Sequence, residues 1–354
     1  MKKVILHDIQ YSVGGPKTVL NGIVNSPLKD EFEFVRLKQV EGCGFNLFKA
    51  IKFVNHYRKQ INKENADTIY ICGLQYTGFL MTVAARLSNV KNVVVSIHGS
   101  DWDNPDKSLR KWILMHVIEP FTIKMCHSFF TVCEAAQRTI GALNVSPSRN
   151  AGVVYNTFPN LDIDTIPKGL FKKEQRISED SIIVAVVGRV VMAKGHQYII
   201  EAIKRIEDPN YIFVIVGDGP YLGVYEQQCD KEILEGRVRL LGVRNDVYNI
   251  LRDSDIFLFA TLNENHSLAL LEAVNMECAV LSTNVGGNPE IIEDGKSGIL
   301  IDCKDSDAIV KGLLRLKDTS LRKRYTVAAL LSAREKFSVA NTYGKLSRIL
   351  KGKL

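Results

Sequence analysis

The 354-residue sequence has no apolar run approaching the roughly 18 residues that a membrane-spanning helix requires, so no bilayer span is expected. Its amino terminus offers only Val4, Ile5 and Leu6 before His7 and Asp8 interrupt, which reads as a first strand and not as a secretory signal. Paired cysteine spacing is missing as well. The seven cysteines, at 43, 72, 126, 133, 229, 278 and 303, suit neither a zinc site nor a disulfide framework, and reduced cytosolic thiols are the expectation. The turn Gly217-Asp218-Gly219-Pro220 is not a G-x-G-x-x-G fingerprint; it reads as backbone punctuation and lends no support to a dinucleotide. Asp101-Trp102-Asp103 and Asp162-Ile163-Asp164 each spell D-x-D, a match too short to specify a metal. No metal site and no cofactor are expected.

Present in quantity are basic residues, and they are unevenly placed. Residues 1–170 hold 20 Lys and Arg against 14 Asp and Glu, which supplies most of the net charge of +7 and points to an anionic partner. Short β-rich runs at 2–8, 67–73, 92–99, 128–134 and 151–157 alternate with helical periods such as 46–65, 78–88 and 108–126. After 158–180, which has little apolar period and reads as a linker, the alternation restarts. Strands are predicted at 182–187, 211–216, 238–241, 256–260, 279–283 and 298–302, with helices from 196, 221, 246, 268 and 288. The pattern predicts an α/β chain of two tandem Rossmann-like, doubly wound parallel-sheet domains with a cleft between them. The expected boundaries are 1–165 and 166–336, with a last helix over 337–354 packing back on the first domain.

The chain's organising stretch is 255–298. A strand runs into a polar loop holding Glu264, Asn265, His266 and Ser267, and a helix starts at Leu268 behind a Ser267 cap, with Glu272 on its second turn. A loop acid, a helix end able to hold an anion, and a second acid together suit a sugar nucleotide. After the first strand of the second domain, Arg189 and Lys194 share a glycine-flanked loop, where a forked and a point cation suit a diphosphate; a pair of solvated surface cations is the plainer alternative. In the first domain Gly14-Gly15 precedes a helix start at Pro16, and His98-Gly99-Ser100-Asp101 closes a strand. Along 46–65, Leu47, Ile51, Val54 and Ile61 are expected to face inward, with Lys49, Lys52, Arg58, Lys59 and Lys63 outward. That basic face is either solvated or adsorbed to anionic lipid, with Lys107, Arg110, Lys111 and Trp112 extending it.

Taken in order, G-R-x-x-x-x-K-G at 188–195, V-G-D-G-P at 216–220, the Leu241-Gly242 turn with Asp246-Val247 after it, E-x(7)-E at 264–272 and G-G-x-P-E-I-I-x-D-G-x-S-G at 286–298 resemble the family 4 retaining glycosyltransferases of GT-B fold. Gly14-Gly15, His98-Gly-x-Asp101 and Asn156 extend the resemblance into the first domain. It implies that Arg189 and Lys194 neutralise a donor diphosphate, helped by the helix end at Ser267-Leu268 and the backbone at Gly14-Gly15. Glu272 then holds the ribose, the backbone near Val243 and Arg244 surrounds the base, and Glu264, His98, Asn265 and His266 bind the transferred sugar, with Asp101 on the acceptor side. The first acid departs from the usual pattern: Asn265, His266 and Ser267 follow Glu264 where the family commonly has a small residue, an aromatic and Gly. The expected activity is retaining, metal-independent transfer of a hexose from a UDP-linked donor to a glycan or lipid-linked acceptor in cell-surface polysaccharide synthesis. The expected place is cytoplasmic, peripheral on the inner membrane face, and no nucleic acid partner is expected. The alternatives are a GT-B epimerase or phosphorylase, or a non-catalytic nucleotide-sugar binding protein.

Overall fold

A computed structural model describes residues 1–7, 15–38, 45–100, 102 and 108–353. The chain divides into two compact units, Met1–Thr157 with Val339–Leu354, and Phe158–Ser338. The first contains β1 Lys2–Leu6, α1 Gly15–Asn25, β2 Phe32–Arg36, α2 Leu47–Glu64, β3 Thr68–Cys72, α3 Tyr76–Arg86, β4 Asn92–Ile97, α4 Leu109–Ile113, α5 Glu119–Met125, β5 Ser128–Thr131, α6 Glu134–Ala142 and β6 Asn150–Val153. One π turn, Leu114–Ile118, joins α4 to α5 just ahead of Pro120, whose missing N–H would break a regular ladder. The second unit contains α7 Leu170–Gln175, β7 Ile182–Val187, α8 His196–Arg205, β8 Tyr211–Val216, α9 Tyr221–Gln228, α10 Asp230–Leu234, β9 Val238–Gly242, α11 Val247–Arg252, β10 Ile256–Phe259, α12 Leu268–Asn275, β11 Ala279–Thr283, α13 Asn288–Ile291, β12 Ile299–Ile301, α14 Ser306–Arg315 and α15 Thr319–Lys336. The last helix, α16 Val339–Leu350, belongs to the first unit, where its terminal Leu350 carbonyl accepts from Thr68 Oγ1 at 2.9 Å and Ser347 donates to Glu31 at 2.8 Å.

Each unit carries a six-stranded sheet, ordered β2-β1-β3-β4-β5-β6 and β12-β11-β10-β7-β8-β9, and the paired strands run parallel. Alternate side chains go to opposite faces, as strand geometry dictates. Ile5, Ile69, Val93 and Val95 enter one apolar cluster of the first unit, while Val4, Leu6, Tyr70 and Val94 enter another. In the second unit Val184, Val186, Phe213 and Ile215 are separated in the same way from Ile183, Val214 and Val216. Burial on both faces explains why these strands read as continuous apolar runs.

Three features differ from the sequence reading. Phe32–Arg36, FEFVR, is an additional strand; its charged residues hide the period, and only Phe32 is buried, as befits an edge. The stretch 158–180 is built into the second unit: the Asp253 carboxylate accepts from the backbone N–H groups of Gly169, Phe171 and Lys172 at 2.6, 2.9 and 3.0 Å, and Phe171 is 1% exposed. On α2 the buried residues are Ala50, Phe53, Tyr57 and Ile61, while Leu47 and Ile51 are exposed. The two aromatic side chains fill the space under the helix and turn its inner face away from the all-aliphatic stripe. Among the expected features, Gly14, Cys43, Asp101 and Lys107 lie outside the described residues.

Candidate active site

In the second sheet β7, β8 and β9 are laid outward in one direction, and the chain then returns to place β10 on the other side of β7. An open parallel sheet accepts ligands in the crevice that such a reversal opens, beyond the carboxyl ends of the two strands. The loops leaving those two ends are 188–195 and 260–267, the two that carry the expected charges. Lys194 and Glu264 meet there as an ion pair between Nζ and Oε2, both partly buried, with Nζ 5.1 Å from the centre of the Phe259 ring. Arg189 is exposed on the same loop as Lys194.

Backbone contacts fix the two loops to each other. Leu262 N donates to Ala193 O at 2.9 Å, and Gly195, at φ +72°, lies so close to β10 that a Cβ would fall 2.0 Å from the Ala260 carbonyl oxygen. The Gly217 turn also braces the cation loop, since Val190 N donates to Asp218 O at 2.8 Å. Behind Lys194 the buried His196 ring reaches Tyr225 Oη at 2.9 Å through Nδ1 and the Arg189 carbonyl at 3.2 Å through Nε2. Burial lowers its pKa to about 4, so the ring is neutral, and a carbonyl can only accept. The proton therefore sits on Nε2 and the Tyr225 hydroxyl donates to Nδ1.

The Glu264 loop is held from below by buried threonines: Thr283 Oγ1 donates to Thr261 O at 2.6 Å, and Thr261 Oγ1 to Asn263 O at 2.8 Å. It is held from the side by Gly286-Gly287, where Gly287 N donates to Glu264 O at 3.3 Å. Ser267 caps α12, its Oγ accepting from Leu270 N at 3.3 Å, and leaves the first N–H groups of the helix for an anion. Glu272, one turn further on, is largely buried. Desolvation pushes its carboxyl up to about 7, against the opposing effect of the Tyr248 hydroxyl, which donates to Oε1 at 3.5 Å.

Other expected residues serve differently. The Arg244 guanidinium is committed within its own unit, gripping Glu174 with two bonds of 2.9 Å and Asp246 with two of 2.8 Å, so only its backbone is free for the role expected beside the exposed Val243. His266 is buried, its ring centre 4.7 Å from that of Phe337 and its pKa lowered to about 3, first by desolvation and then by Lys336. Asn265 and Leu268 are partly exposed beside it. In the first unit His98 follows β4, desolvated to a pKa of about 4, and Gly15 opens α1. The sequence reading missed His196, Tyr248, Thr261 and Thr283. For His196 its place directly after Lys194-Gly195 is a usable signal; the two threonines and Tyr248 carry none.

Residues 168–330 match the family described as Glycosyl transferases group 1, and residues 20–125 match Glycosyl transferase 4-like. An Escherichia coli protein, UDP-Gal:alpha-D-GlcNAc-diphosphoundecaprenol alpha-1,3-galactosyltransferase, is 31% identical over 290 residues, covering 77% of this chain and 72% of that one. The chain belongs to the group 1 glycosyltransferases. The N-acetyl-alpha-D-glucosaminyl L-malate synthase of Bacillus anthracis is 27% identical to this transferase over 249 residues, 69% of this chain and 64% of its own. The transferase also matches the crystal structure of Anabaena HepE in complex with UDP-glucose, with a TM-score of 0.80 at 17% identity, over 99% of this chain and all of that one. Its fold is therefore GT-B.

Proposed function

We propose that the transferase moves a hexose from a UDP-linked donor, with retention of configuration, to a lipid-linked glycan in cell-surface polysaccharide synthesis. The observation that carries this reading is the meeting of Lys194 and Glu264 on the two switch-point loops, immediately before a capped helix end. Lys194 and Arg189 take the diphosphate oxygens together with the first N–H groups of α12, and Glu264 is released to the hydroxyls of the sugar. Glu272 accepts from the ribose hydroxyls, and the backbone at 243–244 borders the base. The first unit serves the acceptor, through the loop of His98.

As the sugar's bond to the diphosphate breaks, negative charge grows on the leaving phosphate oxygen. Cations and helix N–H groups already in position stabilise that charge without reorganising. The acceptor hydroxyl forms its bond on the face the diphosphate leaves, and its proton passes to the departing phosphate. In this reading the two cations supply the charge compensation, and neither a metal nor a cofactor takes part.

The UDP donor is supported by the names of the E. coli relative and of the HepE complex. Those of the E. coli and Bacillus relatives point to different acceptors, a diphosphoundecaprenol-linked sugar and malate. Exposed apolar side chains on the first unit favour the lipid-linked one. Among the described residues no helix is long and apolar enough to cross a membrane, so peripheral association on the inner face is the form this reading takes. The test is release of nucleotide diphosphate from a panel of UDP- and GDP-sugars. Slow hydrolysis of one UDP-sugar supports the reading; tight UDP binding with no turnover on any donor or acceptor contradicts it in favour of a binding protein.

A further inference from the structure

Glu119 opens α5 with a side chain only 1% exposed, and no step assigned to the donor loops uses it. Taking a carboxyl group out of water is costly unless hydrogen-bond donors meet it. The topology supplies them. α5 leads into β5, and β5 lies parallel to β4, so the first residue of α5 stands at the carboxyl edge where β4 gives way to His98. Two residues beyond His98, the Ser100 hydroxyl donates to Glu119 Oε2 and accepts from the backbone N–H of Trp102 at 3.1 Å. One hydroxyl, used in both directions, ties the loop to the helix and closes the loop's own turn.

A second tie comes from the π turn. In a regular helix the Met115 carbonyl would accept from the Glu119 N–H, but here that N–H goes to the Leu114 carbonyl, five residues back. The next donor in this wider register would be the N–H of residue 120, and Pro120 has none. The carbonyl so left over accepts from the indole Nε1 of Trp102 at 3.1 Å. The edge of the His116 ring bounds Trp102 further, with centres 4.8 Å apart and planes at 82°. The break in the helix therefore creates the acceptor that fixes the loop, and π turns recur at functional sites.

We propose that Glu119 is a positioning residue for the transfer step. Through Ser100, and with Trp102 held on the π turn, it fixes the loop that carries His98 in the conformation that meets the acceptor. It acts through the loop and not on a reacting atom. A misplacement of about 1 Å in such a loop is enough to slow a reaction strongly, so a buried carboxyl group is well spent on it. The inference deepens the reading of the His98 loop as the one that serves the acceptor, and rests on it.

The test compares Ser100→Ala, Glu119→Ala, Glu119→Gln and the double alanine variant in the full chain. UDP affinity is measured by calorimetry, and kcat for transfer from the UDP-sugar the wild type prefers to a short-chain lipid-diphosphate-linked sugar. Each alanine variant is expected to lower kcat about a hundredfold and to leave UDP affinity, which belongs to the second unit, unchanged. The double variant is expected to be no slower than either alone, since the same contact is lost in all three. Glu119→Gln, whose amide oxygen still accepts from Ser100, is expected to recover most of the rate. In a Trp112→Phe background Trp102 is the only tryptophan, and acrylamide quenching of its emission is expected to rise in both alanine variants and not in Glu119→Gln. Where Glu119→Ala does not fold, Ser100→Ala carries the test. Full activity with unaltered quenching in Ser100→Ala overturns the proposal, as do losses that multiply in the double variant. A fall of UDP affinity and melting temperature in step with kcat overturns it too, because a merely structural carboxyl group produces that pattern. A wild type that turns over no donor, while Ser100→Ala still unshields Trp102, refutes the transferase reading and leaves the loop contact standing; full turnover in Ser100→Ala does the reverse.

Discussion

Lys194 and Glu264 satisfy each other in the structure, so each is held at the switch point before any donor arrives. In the proposed reading, a diphosphate that draws Lys194 away leaves the carboxylate for the sugar hydroxyls, so donor binding is expected to be coupled to the readiness of Glu264. Lys194→Ala is expected to cut kcat/KM by about a thousandfold, or roughly 4 kcal/mol of transition-state stabilisation, with the circular dichroism spectrum unchanged; steady-state kinetics on the preferred donor check it. Glu272 yields a pH prediction. Its folded carboxyl titrates at about 7 against an ordinary 4.5, so the fold binds its proton more tightly than the unfolded chain does. Stability contributed by that proton is present at low pH and lost as pH rises through this window. Glu272→Gln is therefore expected to raise the melting temperature at pH 8, by the equivalent of about 3 kcal/mol at most, and to leave it unchanged at pH 4. UDP-sugar affinity should rise with pH through about 7 in the wild type only, since the carboxylate is the better acceptor for ribose hydroxyls. The positions of Lys194 and Glu264 on the two loops, and of Glu272 on the helix that follows, were legible because each stands a short way beyond a strand end. Tyr248 was not, since its hydroxyl meets Glu272 across 24 residues that share no pattern.

At the scale of the element, short rigid contacts set the position of the long loops. Gly286 sits at φ +53° with its absent Cβ only 1.6 Å from the Glu264 carbonyl oxygen. Gly286→Ala must therefore push the Glu264 loop aside, and a shift near 1 Å is expected to lower kcat about a hundredfold while UDP affinity changes far less. Isothermal titration set beside kinetics separates the two. Asp253 performs the corresponding task for α7, taking three backbone N–H groups at once. Asp253→Ala is expected to cost about 3 kcal/mol and to open 169–175 to hydrogen exchange before the sheet. These devices also mark where sequence reading stopped. Strands buried on both faces, such as Ile182–Val187 and Tyr211–Val216, announce themselves as unbroken apolar runs. The helix over Leu170–Gln175 shows no amphipathic period because a remote carboxylate and one buried Phe171 hold it. The inner face of α2 was misplaced for a related reason: two aromatic side chains outweighed the aliphatic ones, and no linear rule ranks them.

For the whole molecule, each of the two parallel sheets has one carboxyl edge at which its loops gather. In the second unit that edge gathers cations, acids and a helix end; in the first it gathers His98 and an apolar, basic rim. The excess of cations in residues 1–170 raises the expectation of an anionic partner for the first unit, but which side chains would meet it depends on how α2 and α4 turn. The central claim is that the loops after β7 and β10 close on a donor diphosphate. The most direct measurement is a crystal structure with the preferred UDP-sugar bound. It is expected to show the diphosphate against Arg189, Lys194 and the N–H groups behind Ser267, with Glu272 on the ribose and Glu264 on the sugar. A ligand seated at any other strand end, or Lys194 still paired with Glu264 while the donor is fully bound, would contradict it.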